Sequence, residues 1–361
     1  MMNSLRSIFS KSKFIFPLLF LLMLFGAVSY DIRSKKRILI VHSYNTDYEW
    51  VNDINVGLDR GFKGIDNTLI KYHYMDTKRF PDPRSKEKAS INAIGEINRW
   101  KPDVVVTIDD DAQLLVGTQF IDKPDVDIVY AGIQNSSEGY GYVDAENVTG
   151  IREDVVLRPL FEAISQSKGV EEEGKSALRI YHLSDTSSYS ASVVDRVRGF
   201  QWNPHELVSS KEYVFFDDWK KGILEANETA DLIYLTNYHT LKQRPLPGQE
   251  GDAGITLPSV PSGEVMQWAL ANSELPIVGS WSFLVQDGGM LSMAMSGFEQ
   301  GEVAAKLARL AASGEELPLE QRHVTNQQVL VVLREKAIQK QKWRLPNLYT
   351  SFARSTGNYY E

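Results

Sequence analysis

Lys36-Arg37-Ile38-Leu39-Ile40-Val41-His42-Ser43-Tyr44-Asn45 is the stretch that decides the fold. Its four apolar residues form a continuous run, as in a strand buried on both faces. Helical spacing follows at residues 50–62, where Val51, Ile54, Leu58 and Phe62 share one stripe. The rhythm then repeats. A strand is expected at 68–74, a helix at 85–100 with Ile91, Ile94 and Ile97 inward, and a strand at 104–108. A short helix at 112–120, a strand at 127–131 and a crossing that begins at 148–151 follow.

A second cycle starts with a helix at 156–167. Strands are expected at 178–183, 211–215, 232–236 and 277–280, interleaved with helices at 188–198, 219–227 and 264–272. The Pro- and Gly-rich stretch 244–263 reads as a long loop. A strongly helical segment at 299–312 stops at Gly314, and a late strand occupies 328–333. Such alternation implies an α/β chain of two Rossmann-like lobes, each with a parallel sheet covered by helices on both faces.

In open parallel sheets, ligands sit beyond the carboxyl ends of the strands. Those ends carry His42-Ser43-Tyr44-Asn45, Met75-Asp76-Thr77-Lys78-Arg79, Asp109-Asp110-Asp111 and Gly132-Ile133-Gln134-Asn135 in the first half. In the second half they carry Ser184-Asp185-Thr186, Asn237-Tyr238-His239 and Trp281-Ser282. Seven strands that are apolar within and polar or aromatic at their ends mark one site. The expected ligand contacts are Ser43, Tyr44, Trp50, Asp76, Asp109, Asp110, Gln134, Asn135, Asp185, Thr186, Asn237, Tyr238 and Trp281. Tyr44, Trp50, Tyr238 and Trp281 suit a flat apolar, aromatic or sugar-like ligand, and a carboxylate at Asp109 suits an amine or hydroxyl.

Arg6, Lys11 and Lys13 precede an apolar run from Phe14 to Val28, followed by the small residues Ala27-Val28-Ser29. This pattern at 1–29 fits a secretory signal peptide, with a retained inner-membrane anchor as the alternative. The chain has no cysteine, so disulfides, thiolate metal sites and a lipidated cysteine are excluded. Beyond residue 29, 36 Lys+Arg face 47 Asp+Glu, a net charge near −11 that argues against nucleic acid as a partner. The mature length exceeds what one core organises, so two domains are expected.

Several chemical motifs fail their context. Gly169-Val170-Glu171-Glu172-Glu173-Gly174-Lys175-Ser176 spells a phosphate loop, but a helix precedes it, a strand follows it, and three glutamates would repel the anion. The triple aspartate 109–111 reads as ligand contact or helix capping rather than as a metal site. No metal spacing links the six histidines; His42 and His239 fall at strand ends, while His73 and His182 lie within strands. Met290, Met293 and Met295 read as core or cleft wall. With no nucleophile elbow, dinucleotide fingerprint, metal or cofactor signature, a binding protein is expected rather than an enzyme.

His42-Ser43-Tyr44 with Trp50, Tyr74-Met75-Asp76-Thr77-Lys78-Arg79 and Asp103–Asp111 resemble the substrate-binding proteins of an ABC transporter group with the type I periplasmic-binding fold. Pro276-Ile277-Val278-Gly279, Gly288-Gly289 and the helix at 302–312 resemble the C-terminal half of that group, so the likeness spans about residues 36–345. The resemblance implies three chain crossings, near 154, 283 and 318. The first lobe would be 36–153 plus 284–318, and the second 154–283 plus 319–361. It also implies a monomeric periplasmic protein that captures a small organic solute, amino acid-like or similar, for an ABC permease. The same module serves as a sensory co-receptor for a kinase or cyclase, which is the alternative.

Overall fold

The computed structural model describes residues 20–26, 35–134, 136–169, 177–187, 190–245, 257–315 and 317–361. Expectations for the start of the chain, for the phosphate-loop look-alike at 170–176, for Asn135 and for most of the 244–263 loop fall outside these residues. Residues 20–26 are helical with exposed apolar side chains, and no described helix is long and apolar enough to cross a membrane.

The first half supplies β1 (Lys36–His42), β2 (Thr68–Tyr74), β3 (Val104–Ile108), β4 (Asp127–Ile133) and β5 (Val148–Arg152). After the two-residue β6 (Lys168–Gly169) come β7 (Arg179–Asp185), β8 (Glu206–Tyr213), β9 (Leu232–Leu235), β10 (Ile277–Gly279) and β11 (Leu291–Met295). The last are β12 (His323–Thr325), β13 (Val329–Arg334), β14 (Trp343–Arg344) and β15 (Tyr359–Tyr360). One sheet runs β2-β1-β3-β4-β5-β12, all parallel. The other runs β8-β7-β9-β10-β11-β13-β15, where β13 is antiparallel to β11. The second lobe is therefore mixed rather than purely parallel.

β1 is central in its sheet, with β2 and β3 on either side, which is why Ile38 to Val41 are fully buried. Burial of each such side chain stabilises by about 1.5–3 kcal/mol. The helix Glu49–Gly61 buries Val51, Ile54 and Leu58 as its spacing predicts. Pro83–Trp100 is capped by Asp82, whose carboxylate accepts from the Ser85 amide. On that helix Ile97 is buried and Ile94 packs against the same core with Ala93, as expected, while Ile91 is exposed, because it lies at the edge of the face that meets the sheet. The expected 112–120 helix begins earlier, at Asp110–Leu115, and passes into a 3₁₀ turn at Gly117–Phe120.

Two crossings lie elsewhere than the sequence expectation. β11 pairs with β10 in the second sheet, so the chain returns to the first lobe at Ser296 and not near 283. The sequence Leu291-Ser292-Met293-Ala294-Met295 has no β-branched residue to announce a strand. β12 pairs with β5 in the first sheet, so the last crossing is at 326–328 and not near 318. The three connections are tied together. The Glu299 carboxylate accepts from the amides of Gln327 and Gln328, Asn326 N–H donates to the Arg152 carbonyl, and Asp154 N–H donates to the Asn326 side chain.

The returning helix Gly297–Ser313, capped by Ser296, packs against Glu49–Gly61 at very short range. A Cβ on Gly301 would stand 2.0 Å from the Ile54 carbonyl oxygen, and one on Gly57 would stand 2.2 Å from that of Phe298. Helix propensity favours alanine over glycine by about 1 kcal/mol, but a backbone obstacle cannot turn aside, and overpacking costs about 1–3 kcal/mol. Gly301→Ala is therefore expected to lower the thermal midpoint by several degrees. Gly95→Ala, on an exposed helical position where a Cβ meets nothing within 4 Å, is expected to raise it slightly. Thermal melts of both variants test this, and a stabilised Gly301→Ala would contradict the packing described.

Candidate functional site

A cavity of about 250 Å³ lies between the lobes, at the carboxyl ends of both sheets. Each sheet reverses its strand order there: β1 and β3 part in the first, β7 and β9 in the second. Helices leave neighbouring strands in opposite directions at such a switch point, which opens a crevice.

Ser43 knits the first switch point. Its hydroxyl donates to the Ile108 carbonyl and accepts from Ala112 N–H, both at 2.7 Å, while its own carbonyl accepts from Thr77. Ser43 thus does the capping that the sequence assigned to an aspartate, and it is fully buried behind the wall. Asp109 stands beside it with φ 65°, a left-handed backbone rare for a residue with a side chain. Its Oδ1 accepts from the Trp50 indole N–H at 2.8 Å. Gly132 faces that carboxylate at φ 68°, and a Cβ there would approach Asp109 Oδ1 to 2.9 Å. Asp110 accepts from the Tyr140 hydroxyl at 2.5 Å and the Gln134 amide at 3.2 Å, and so fixes the loop beyond β4. Asp111 turns away to pair with Lys86 at 2.8 Å.

The second switch point is knitted by Asp185. Its carboxylate accepts from the Ser190 hydroxyl at 2.6 Å, from Ser187 through amide and hydroxyl, and from Thr240 N–H at 2.9 Å. Asn237 donates to Ser190. Trp281 and Phe283 lie with parallel rings 6.2 Å apart, and Phe283 meets His239 edge-on at 4.4 Å. Ala294 and Met295, at the end of β11, complete this apolar side.

Of the expected residues, Tyr44, Trp50, Asp109, Asp110, Gln134, Asp185, Asn237 and Trp281 line the cavity. Ser43, Asp76, Thr186 and Tyr238 do not. Ser43 is used up at the strand ends. Asp76 pairs with Arg79 at 3.5 Å, and Thr186 is exposed outside the cleft. Tyr238 is buried behind His239, its hydroxyl donating to Asp287 at 2.8 Å. The wall also contains Tyr48, Glu49, Asp53, Lys78, Glu153 and Asp287, which the list of expected contacts omitted. Lys78 stands at a strand end already marked as polar. Glu153 follows β5, a segment whose sequence reads as a crossing between lobes.

Burial dominates the electrostatics. It pushes the Asp109 carboxyl up to about 8, with Asp110 and Asp111 adding repulsion, against the Trp50 hydrogen bond and the Lys78 charge. Glu153 is raised well above the usual carboxylate range by burial and by repulsion from Asp109 and Asp110. Burial lowers the Lys78 ammonium to about 8 against the pull of Asp109, Asp185 and Asp287, and the ammonium lies 3.5 Å from the centre of the Tyr48 ring. Burial also raises Asp53 to about 6 and keeps His239 neutral. Four buried polar atoms on the wall have no partner: Asp109 Oδ2, Gln134 Oε1, Glu153 Oε2 and Trp281 Nε1. A dry, unpartnered polar group costs about 1–3 kcal/mol. Among the described residues no cluster has the make-up of a metal site.

No family model and no curated protein matches the sequence. Solved structures do match the fold. A Streptococcus pneumonia ABC domain in complex with L-Trp superposes with a TM-score of 0.63 at 16% identity, covering 88% of this chain and 98% of that one. A ligand-free, open substrate-binding protein with adhesive properties from Clostridium difficile gives 0.59 at 15% identity, covering 86% and 96%. A periplasmic ribose ABC transporter protein from Conexibacter woesei gives 0.51 at 14% identity, covering 83% and 93%. The chain has the two-lobed α/β fold of type I periplasmic binding proteins.

The raised carboxyls make the empty protein pH-sensitive. Folded Asp109 keeps its proton up to about pH 8, whereas an unfolded aspartate loses it near 4, so folding takes up a proton in that window. Stability is therefore expected to fall as pH rises from about 4 to 8; Lys78 titrates at the upper end of that window and above it. Asp109→Asn, which keeps the acceptor for Trp50, is expected to flatten this fall and to melt higher than wild type at pH 8. Each kcal/mol relieved raises the midpoint by roughly 2–4 °C. Calorimetry at pH 5 and pH 8 reads the effect, and an unchanged pH slope in the variant would show that Asp109 is not the group responsible.

Proposed function

We propose that this chain is an extracytoplasmic solute-binding protein that captures a small organic ligand, amino acid-like or of similar size, in its interlobe cleft for an ABC importer. The observation that carries the reading is that Asp109, Gln134, Glu153 and Trp281, which line one cavity between two switch points, each hold a buried polar atom without a partner. A polar ligand in the cavity would offer these atoms partners. The aromatic side formed by Trp281 and Phe283 suits a flat or apolar ligand body. Neighbours of this fold bind L-Trp in one case and sugars in others, which supports a small solute and leaves the class to the cleft's own chemistry.

Closure follows from the way the lobes are joined. The three connections, tied to one another by Glu299, Asn326 and Asp154, would serve as the hinge about which the lobes open and close. A ligand touching both walls binds the closed state better than the open one, and that difference is the free energy that shifts the population. A permease then reads the closed shape. The absence from the sequence of a nucleophile elbow or cofactor loop supports capture rather than catalysis.

A thermal-shift screen of amino acids, sugars and nucleosides tests the proposal. A true ligand at 100 times its dissociation constant is expected to add about 2.7 kcal/mol, a rise of several degrees. The double variant Asp109→Ala, Trp281→Ala is expected to lose that rise while remaining folded by circular dichroism. Stabilisation that survives both changes would place the ligand elsewhere, and a flat response to every class would remove the receptor reading.

A further inference from the structure

We infer that the ligand is a primary amine, whose ammonium group seats among the unpartnered oxygens of Asp109, Gln134 and Glu153 on the first lobe. This rests on the reading of the cleft as a solute site and adds the polarity of its ligand.

Once the two carboxyls ionise, all three atoms are acceptors. Asp109 Oδ2 and Glu153 Oε2 are carboxyl oxygens, on residues each only 3% exposed. Gln134 lies near Glu153, and its Oε1, which cannot donate, is left without a partner. Three acceptors around one cavity match the three N–H donors of an ammonium group.

Charge separates an amine from the other ligands that could donate hydrogen bonds. Among the described residues on the cavity wall, seven carboxyl groups stand against the single ammonium of Lys78. Asp110 raises the Asp109 carboxyl, both raise Glu153, and the cations near them are engaged elsewhere. Lys78 lies over the Tyr48 ring on the Asp109 side. Arg196 faces Glu153 but is held by Asp154 at 2.7 Å and by the Gln134 carbonyl at 3.2 Å. A ligand hydroxyl would fill hydrogen bonds without favouring the ionised carboxyls, and a ligand carboxylate would oppose their ionisation. A ligand ammonium fills the hydrogen bonds and favours ionisation together.

Capture of an amine should therefore release protons. The groups facing Asp109 are the Trp50 indole, Lys78, Asp110 and Asp111, and those facing Glu153 are Asp109, Asp110, Gln134 and Arg196. With the ammonium in place the Asp109 and Glu153 carboxyls ionise more readily, so affinity rises from pH 6 to pH 8. Deprotonation of Lys78 toward pH 8 removes a competing positive charge and acts in the same direction.

Isothermal titration of the full protein with matched probes tests this: tryptamine, indole-3-propionate and tryptophol; phenethylamine, 3-phenylpropionate and 2-phenylethanol; putrescine, succinate and butane-1,4-diol; and D-galactose alone. In any set that binds, the amine is expected to bind at least tenfold more tightly than its acid or alcohol, and more tightly at pH 8 than at pH 6. Glu153→Gln and Asp109→Asn should each weaken the amine about tenfold or more and leave an alcohol nearly unchanged; either variant suffices if the other does not fold. An acid or alcohol that equals its amine, an amine indifferent to both variants, or galactose binding with no amine binding overturns the ammonium seat and leaves the receptor reading standing. If no probe binds and the broader screen is also flat, the receptor reading fails and takes this inference with it.

Discussion

The geometry of the cleft depends on how two pairs of parallel strands are held apart at their carboxyl ends. In the first lobe a single hydroxyl does this, since Ser43 joins β1 to β3 and caps the helix that begins at Asp110. In the second lobe the Asp185 carboxylate does the same between β7 and the loop beyond β9. Each knot is a buried polar group whose hydrogen bonds are met locally, so it carries little desolvation penalty and fixes its surroundings. From these two points the chain directs Tyr44, Lys78 and Asp109 into the cleft from one side, and Asn237 and His239 from the other.

Unpartnered buried polar atoms occur in the core, as at Tyr181 Oη, Trp219 Nε1 and Ser292 Oγ, as well as on the cleft wall. The knots, the Asp110–Tyr140 contact and the ties among the three connections use all the chemistry they have. The cleft wall does not: Asp109, Gln134, Glu153 and Trp281 each keep one atom in reserve. Such atoms lower the stability of the fold. The same burial that raises Asp109 and Glu153 lowers Lys78.

The fold was legible in the sequence where the signal is local and repetitive. Ile38 to Val41 could only be a strand covered on both faces, and the stripe Val51, Ile54, Leu58 fixed the side on which its helix lies. Eight of the expected cleft residues reached the wall because strand ends in parallel sheets share one edge. The misses have equally definite causes. The methionine-rich β11 has no β-branched residues, so the second crossing was placed too early. Ser43 and Tyr238 sit at strand ends but are consumed by neighbours that only folding supplies.

By itself, the sequence determined the alternation of strands and helices, the two lobes and the edge at which polar residues gather, because each follows from the period of apolar residues and from turn chemistry. Tertiary structure alone decided which of those polar residues are dry, which are already paired and which are left over. Glu153 illustrates the difference. Nothing adjacent to it in the chain marks it out, and its character comes from Asp109, Asp110, Gln134 and Arg196, brought together from separate elements. Protonation and hydrogen-bond satisfaction are sums over spatial neighbours, and a one-dimensional pattern does not contain them.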